Sequence, residues 1–508
     1  GDMDISGKKY APTYININNC STNNLTIESN GTEIGGIVAK IIDVNCGGIQ
    51  NVKITNCTNE QVNITDISED VYGRHYGLIA GYIREALDVY VDNCNSTNSN
   101  LNFKGTQLGT DAGACIGAIE QLTKDSNVKI QNCNIDKVDI NSNAVGCIGG
   151  FVGLIQSSRY QSMMNVDIEN CEFTNSKVIE NVPENRSGTS VAGMIAEILE
   201  INDFNIKNCS VVNSEISSNV LGNNSYIASG MIGYVISRSA NLDNCNVNNC
   251  KIATNCGSAG GILADIQILS DSYGSYDFKT SFKDCNVIDT SIIGYNEEKD
   301  CGTKNMGGIV GQAKATSVKL DNCTVKGTDE KSIIKSERRI GSIGGHIEGT
   351  VESNNVIVSN IDLVSKYEDT IGGVYAMAGT IKDKDSKYTN ISLTGSGTAG
   401  GYIGYTTSYD DIKVDINSLT FENISVENKD KIITGGIIGA VDSGKLKSEG
   451  NTYKNISVTV KNPQTGAVGG LTGYAQNIIM NNDNFDGIII RNTDGGLDFA
   501  GGISGKAE

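Results

Sequence analysis

Hydrophobic and polar positions alternate along most of this chain, and the alternation restarts many times. Typical segments are Val52-x-Ile54 and Val89-x-Val91, each followed within a few residues by an Asn-Cys step. A period of two is typical of a half-buried β-strand, whereas amphipathic helical periodicity is scarce throughout. The pattern therefore predicts an all-β protein made of many short strands.

A glycine-led apolar block returns along the whole chain. Its best copy is Gly307-Gly308-Ile309-Val310-Gly311, and fourteen copies follow one another between Gly36 and Gly502, at an average spacing of about 36 residues. Self-similarity at such a period indicates an architecture in which each repeat stacks on the next. With three short strands per repeat and only 3 prolines, we predict a parallel β-helix (β-solenoid) of about 14 coils.

Asn-Cys steps form a second column with the same period. The column contains Cys20, Cys57, Cys94, Cys133, Cys171, Cys209, Cys245, Cys285 and Cys323. After Cys323 we assign the same slot to isoleucine, at Ile361, Ile391, Ile424, Ile456 and Ile488. A slot shared by Cys and Ile predicts a core position, and the parallel side chains of neighbouring coils favour reduced thiols over strained disulfides. The preceding Asn is expected at a left-handed bend, where it would stack into an asparagine ladder.

The change from cysteine to isoleucine coincides with shorter coils. We interpret residues 1–345 as a β-solenoid with an Asn-Cys ladder, and residues 346–508 as its continuation with an isoleucine ladder. The last glycine block is followed by no obvious cap. Uncapped edge strands predict that the polypeptide continues or that two copies associate end to end.

Charge and composition narrow the classes of partner. The formal net charge of -19 argues against nucleic acid and against an anionic membrane surface. No apolar run is long enough for a membrane span. We expect no cofactor and no zinc site, although structural calcium held by loop aspartates such as Asp410 and Asp411 is compatible with the pattern.

The core of the glycine block resembles the GLUG motif, a short repeat of bacterial cell-surface and secreted proteins. The best matches are Gly470-Leu471-Thr472-Gly473 and Gly308-Ile309-Val310-Gly311. The resemblance covers nearly the whole chain as repeats. It implies an extracellular bacterial stalk or adhesin-like module, and it carries no catalytic residues.

Candidate binding residues are few. His75 follows Arg74 in a segment that also contains tyrosine, with Arg84 nearby, while His346 occupies the isoleucine slot of a glycine block and is predicted to be structural. The chain has no tryptophan, so tyrosine is the strongest platform for recognition. Two clusters stand out, Tyr273 with Tyr276, and Tyr402 with Tyr405 and Tyr409. Packing of loops onto the solenoid is the alternative role for each cluster.

Two hypotheses about function follow. The first is a non-enzymatic, extracellular bacterial solenoid that acts as an adhesin or ligand-display rod toward a host or cell-surface glycan or protein. The second is a carbohydrate-active β-helix enzyme, a polysaccharide lyase or glycoside hydrolase. Acidic residues and a tyrosine that line one groove over three or more coils would favour the second hypothesis. Scattered loops without a shared face would favour the first.

Overall fold

The structure is a computed structural model, and the residues it describes are 13–42, 49–67, 73–104, 108–121, 126–157, 164–182, 189–219, 226–255, 257–268, 279–294, 305–406, 412–429, 432–461, 466–493 and 498–507. Over these residues the fold is an all-β parallel β-solenoid without helices, as predicted. The described turns number about 11 and average ~36 residues. This is slightly fewer than the fourteen coils predicted from all glycine blocks of the chain.

The chain divides into two compact units. The first contains Gly1–Asn255 and Ile266–Tyr276, and the second contains Cys256–Asp265 and Asp277–Glu508. The predicted change between residues 345 and 346 therefore lies within the second unit. Among the described residues there is no helix that is long and apolar enough to cross a membrane.

The strands up to residue 254 belong to the first unit. They are β1 (Thr13–Asn18), β2 (Ser21–Asn23), β3 (Thr26–Ser29), β4 (Glu33–Gly35), β5 (Val38–Ile42), β6 (Ile49–Thr55), β7 (Thr58–Glu60), β8 (Asn63–Asp66), β9 (Arg74–Gly77), β10 (Ala80–Arg84), β11 (Ala86–Asp92), β12 (Asn95–Phe103), β13 (Leu108–Gly113), β14 (Ile116–Gln121), β15 (Asn127–Gln131), β16 (Asn134–Ser142), β17 (Val145–Gly149), β18 (Val152–Ser157), β19 (Asn165–Glu169), β20 (Glu172–Thr174), β21 (Lys177–Glu180), β22 (Thr189–Ala192), β23 (Ile195–Lys207), β24 (Ser210–Val212), β25 (Glu215–Ser218), β26 (Tyr226–Ser229), β27 (Ile232–Asp243), β28 (Asn246–Asn248) and β29 (Lys251–Thr254).

The strands that follow along the chain are β30 (Ser258–Gly260), β31 (Leu263–Ile268), β32 (Lys279–Lys283), β33 (Asn286–Ile288), β34 (Ser291–Gly294), β35 (Asn305–Gly307), β36 (Val310–Asp321), β37 (Thr324–Lys326), β38 (Ser332–Ser336), β39 (Arg339–Gly341), β40 (Gly344–Asn354), β41 (Ile357–Gly372), β42 (Tyr375–Lys384), β43 (Lys387–Gly400), β44 (Ile403–Thr406), β45 (Ile412–Asn417), β46 (Thr420–Asn428), β47 (Ile432–Gly435), β48 (Ile438–Glu449), β49 (Thr452–Val460), β50 (Gly466–Gly469), β51 (Thr472–Asn481), β52 (Asn484–Asp486), β53 (Ile489–Asn492), β54 (Phe499–Gly501) and β55 (Ser504–Ala507).

The coil that begins with β19 shows how one repeat is built. Strands β19, β20 and β21 are separated by bends at Asn170 and Asn175, and β22 then leads into a glycine corner at Gly193 and on to β23. Each of these strands pairs in parallel with its counterpart one coil later, as β20 does with β24 and β21 with β25. Side chains that alternate along a strand therefore form columns along the solenoid.

Asparagines occupy the bends, as predicted. Asn170 and Asn208 have φ angles of 53° and 52°, a left-handed conformation that Asn tolerates better than most residues. Their side chains are also linked from coil to coil. Nδ2 of Asn208 donates to Oδ1 of Asn170 at 3.0 Å, and Nδ2 of Asn244 donates to Oδ1 of Asn208 at 3.0 Å.

The cysteines that follow these bends point into the core. Cys94 and Cys171 are fully buried, and the Sγ of Cys171 donates to the carbonyl of Glu169 at 3.4 Å. Burial raises the pKa of the Cys57 thiol to about 11. The described cysteines form no disulfide bonds. The column therefore serves as a core of small apolar side chains whose thiols donate to backbone carbonyls.

The assignment of isoleucine to the cysteine column was wrong. Asn355 donates to Asn322 and continues the cysteine bend, so that Val356 takes the slot after Cys323. Ile361 and Ile391 pair with each other in a different column. Most described coils have two left-handed bends five residues apart, such as Asn355 and Asn360. In the later coils an Asn at the second bend precedes an isoleucine, as in Asn360-Ile361. This step resembles the Asn-Cys step at the first bend of the earlier coils.

Candidate functional site

Residues seven positions apart meet across several of the glycine corners. The Oγ of Ser190 donates to Oε1 of Glu197 at 2.6 Å. In the second unit, Nδ2 of Asn305 donates to Oε1 of Gln312 at 2.7 Å. The side chains in these contacts point out of the solenoid. They can touch only if the outer faces of the two consecutive strands are inclined toward each other. We call the resulting line of side chains the corner cleft.

Gly81, just after its corner, lets the two strands approach closely. A Cβ on Gly81 would lie 2.5 Å from the carbonyl oxygen of Ala39, 2.7 Å from that of Ile34 and 3.0 Å from that of His75. Such distances are shorter than van der Waals contact, so no other residue fits without moving the backbone. Other coils carry alanine at this position of the block, at Ala39, Ala196, Ala264 and Ala376, so the constraint belongs to Gly81 in its own coil.

One wall of the cleft in the first unit comes from the strands before the corner. The parallel register places one outward residue from each of five successive coils in a single column, Glu33, His75, Asp111, Cys147 and Ser190. The side chains of His75 and Asp111 are only 12% and 10% exposed. This wall is thus polar and largely shielded from water.

The floor and the opposite wall come from the strands after the corner. Their column contains Lys40, Tyr82, Ala118, Leu154 and Glu197. Tyr82, Ala118 and Leu154 form an apolar cluster against which Cys147 and Leu199 pack. Two residues further along the same strands, Arg84, Glu120, Gln156 and Leu199 form the outer rim.

His75 and Tyr82 join the two walls. Their rings are stacked with centroids 4.0 Å apart and planes at 6°. Nε2 of His75 lies 3.4 Å from Oδ2 of Asp111 on one side, and the hydroxyl of Tyr82 donates to Oε2 of Glu120 on the other. Nδ1 of His75 is buried without a hydrogen-bond partner among the described residues. Each ring of the stacked pair therefore contacts one carboxyl group of the following coil.

Burial sets the protonation states of this cluster. It raises the pKa of Asp111 to about 8, with the charges of Glu197 and Glu120 acting in the same direction against a hydrogen bond from Cys147. Burial also lowers the pKa of His75 and raises that of Glu197. Near neutral pH, Asp111 is therefore a protonated acid beside a neutral imidazole.

Arg74, predicted as a binding residue together with His75, points the other way. Its side chain is 1% exposed and its Nη1 forms an ion pair with Asp66, which is also buried. Adjacent residues of a strand face opposite sides. The structure therefore brings His75 into the cleft and places Arg74 in the core.

Tyr402 is also in the core. It is fully buried, and its hydroxyl donates to Oδ2 of Asp383 at 2.7 Å. Tyr388 donates to the same oxygen and Ser386 to the other, at 2.6 Å. Despite these donors, burial raises the pKa of Asp383 to about 6. A ligand at the surface cannot reach the Tyr402 ring, so packing explains this residue.

Tyr405 is the described tyrosine of that cluster that remains at the surface. It lies partly exposed in the corner cleft of the second unit, and its hydroxyl donates to Oδ2 of Asp442 at 3.0 Å. Tyr273, Tyr276 and Tyr409, and the calcium candidates Asp410 and Asp411, lie outside the described residues. Their proposed roles stay predictions.

His346 does not occupy the isoleucine slot that the sequence suggested. Gly341 pairs with Gly307 and His346 with Gln312, so the corner lies at Ser342, three residues earlier than predicted. His346 therefore lies in the cleft of the second unit, with its Nδ1 3.4 Å from Nη1 of Arg339. The pair Gly344-Gly345 has the same sequence as the start of a glycine block, which is why the corner was predicted there.

The most informative cleft residues were missed by sequence reasoning. No sequence feature distinguished them individually from the other residues of their repeats. They are Tyr82, Asp111, Glu120, Lys40 and Glu197. One signal was available, since polar or aromatic residues seven apart bracket several glycine blocks. The pairings from coil to coil had no such signal, because the segments between coils differ in length.

Comparisons with known proteins give no identity. No protein-family model matches the chain, and no curated protein is similar to it in sequence. A solved structure of the PL6 family alginate lyase AlyGC aligns at 10% identity over 98% of each chain, with a TM-score of 0.12. That score is too low to support any argument about function.

Proposed function

We propose that this protein is an extracellular, cell-surface β-solenoid of bacteria that binds a glycan in the corner cleft of its first unit. The observation that carries the proposal is the alignment of polar and aromatic side chains from five successive coils in one cleft, at Glu33, His75, Asp111, Cys147 and Ser190. Strands in register repeat every ~4.8 Å. A polymer that follows the solenoid meets a new set of contacts at every coil.

The composition of the cleft suits a sugar. The apolar cluster of Tyr82, Ala118 and Leu154 lies beneath the cleft, and the small exposed edges of Tyr82 and Leu154 are where we expect the carbon-bound hydrogens of a pyranose to pack. The hydroxyl groups of the sugar would form hydrogen bonds with the polar wall and with Lys40, at one end of the cleft. Recognition sites for small ligands typically combine such an apolar surface with a few placed polar groups.

Charge favours a neutral glycan. Acidic residues outnumber basic ones in this cleft, and the whole chain carries a net charge of -19. A polyanionic polysaccharide would therefore be repelled. The cell-surface location rests on the GLUG-like repeats, such as Gly470-Leu471-Thr472-Gly473, because proteins with this motif are exported.

A glycan array tests the proposal. The wild-type protein and a His75→Ala variant are compared on the same array, with Tyr14→Ala as a control because Tyr14 is 70% exposed outside the cleft. We expect the wild type and Tyr14→Ala to bind the same neutral glycans, and His75→Ala to lose at least about tenfold in affinity. Equal binding by His75→Ala, or no binding by the wild type, would overturn the proposal.

A further inference from the structure

The corner cleft of the first unit holds two carboxyl groups in different surroundings. Asp111 belongs to the wall before the corner and lies 3.4 Å from His75. Glu120 belongs to the rim after the corner and accepts a hydrogen bond from the hydroxyl of Tyr82. Both belong to the coil that follows the stacked His75 and Tyr82 rings, on the two strands that flank its corner. A sugar that enters the cleft above the stacked rings would thus have one carboxyl group on each wall.

We propose that this cleft hydrolyses a neutral glycan, with Asp111 as general acid and Glu120 as general base. The inference rests on the proposed glycan binding and adds a reaction to it. Asp111 donates its proton to the glycosidic oxygen while the bond between that oxygen and the anomeric carbon breaks. A water molecule attacks the anomeric carbon and gives its proton to Glu120. The products are two shorter sugars, and one water is consumed.

Burial supports the role of Asp111. The raised pKa of Asp111, about 8, keeps its proton available near neutral pH, as a general acid requires. The titratable groups that face Asp111 are His75, Tyr82, Cys147, Glu120 and Glu197. Glu197 acts against ionisation of Asp111 through its charge. His75 is held against Tyr82 and is a positioning residue in this scheme.

Release of reducing sugar from the glycans that bind the array tests the inference. We compare the wild type with Asp111→Asn, Glu120→Gln and the control Glu172→Gln, whose carboxyl group is exposed outside the cleft. The two cleft variants are expected to lower the release rate by at least about 100-fold, while glycan affinity changes by less than about threefold. The control should match the wild type.

The pH profile provides a second readout. Release by the wild type should decline as the pH rises above about 8, because Asp111 then loses its proton. If circular dichroism shows that Asp111→Asn does not fold, the inference is tested with Glu120→Gln alone, because Glu120 is more exposed.

The outcomes separate the two proposals. Binding without release by the wild type would overturn the hydrolytic role and leave glycan binding standing. Release that persists in Glu120→Gln would also overturn this assignment. A protein that binds no glycan would instead contradict the proposed function itself.

Discussion

The imidazole of His75 stacks on the phenol of Tyr82 with ring centroids 4.0 Å apart and planes only 6° from parallel. The two residues are seven positions apart and lie on β9 and β10, the strands on either side of a glycine corner. Their contact shows that the outer faces of these strands converge. It also links the acidic wall of the cleft to its apolar floor.

Substitutions at Tyr82 separate the ring from its hydroxyl. Tyr82→Ala removes the stacking partner and part of the floor, so we expect the dissociation constant for a bound glycan to rise at least about tenfold. Tyr82→Phe keeps the stacked ring and its part of the floor, and it loses only the hydrogen bond to Glu120. It should bind within about threefold of the wild type. Titration calorimetry measures both constants, and equal effects of the two variants would contradict a role for the ring.

Gly81→Ala tests the close approach of the corner strands. The added methyl group would meet three carbonyl oxygens within 3.0 Å, and we expect a loss of stability of about 2 kcal/mol or more. Gly502→Ala is the matched control, since no atom lies within 4 Å of its Cβ position. Urea unfolding followed by circular dichroism gives the comparison. Similar midpoints for the two variants would show that the corner has room to relax.

The bends can be tested at Asn208. In Asn208→Ala, a residue with a Cβ must adopt a φ of 52° and two ladder hydrogen bonds are lost, which should cost about 2 kcal/mol. Asn208→Gly loses the same hydrogen bonds without the steric conflict. We expect the glycine variant to unfold at a higher urea concentration than the alanine variant. The reverse order would mean that backbone strain is not decisive here.

Asp383 predicts a pH dependence of stability. Its pKa is about 6 in the folded protein and about 3.9 in an unfolded chain, so the folded state binds the proton more tightly. Stability from this group is complete below about pH 4 and is lost as the pH rises through about 6, by ~3 kcal/mol in all.

Asp383→Asn should remove this dependence. The difference in unfolding free energy between the variant and the wild type should shift by ~3 kcal/mol in favour of the variant between about pH 4 and pH 7. Glu348→Gln, an exposed carboxyl group of the same unit, should show no comparable shift. A pH-independent difference for Asp383→Asn would mean that its hydrogen bonds offset burial completely.

The repeat explains why the fold could be predicted and the site could not. The period of the glycine blocks and the Asn bends, such as Asn170, depend on local backbone chemistry and can be recognised in a single coil. The column that contains Glu33, His75 and Asp111 depends on how coils align, and the segments between them vary in length. Local sequence can also give a wrong alignment. The pair Gly344-Gly345 beside His346 led to a corner predicted three residues too late.

A crystal structure of Glu120→Gln with an oligosaccharide identified on the array would locate the bound sugar, because this variant should bind without hydrolysis. We predict that the sugar lies along the cleft over Tyr82, Ala118 and Leu154, within hydrogen-bond distance of Asp111. An oligosaccharide bound elsewhere, for instance beside Tyr405 in the second unit, with this cleft unchanged, would rule out glycan binding and hydrolysis in the corner cleft of the first unit.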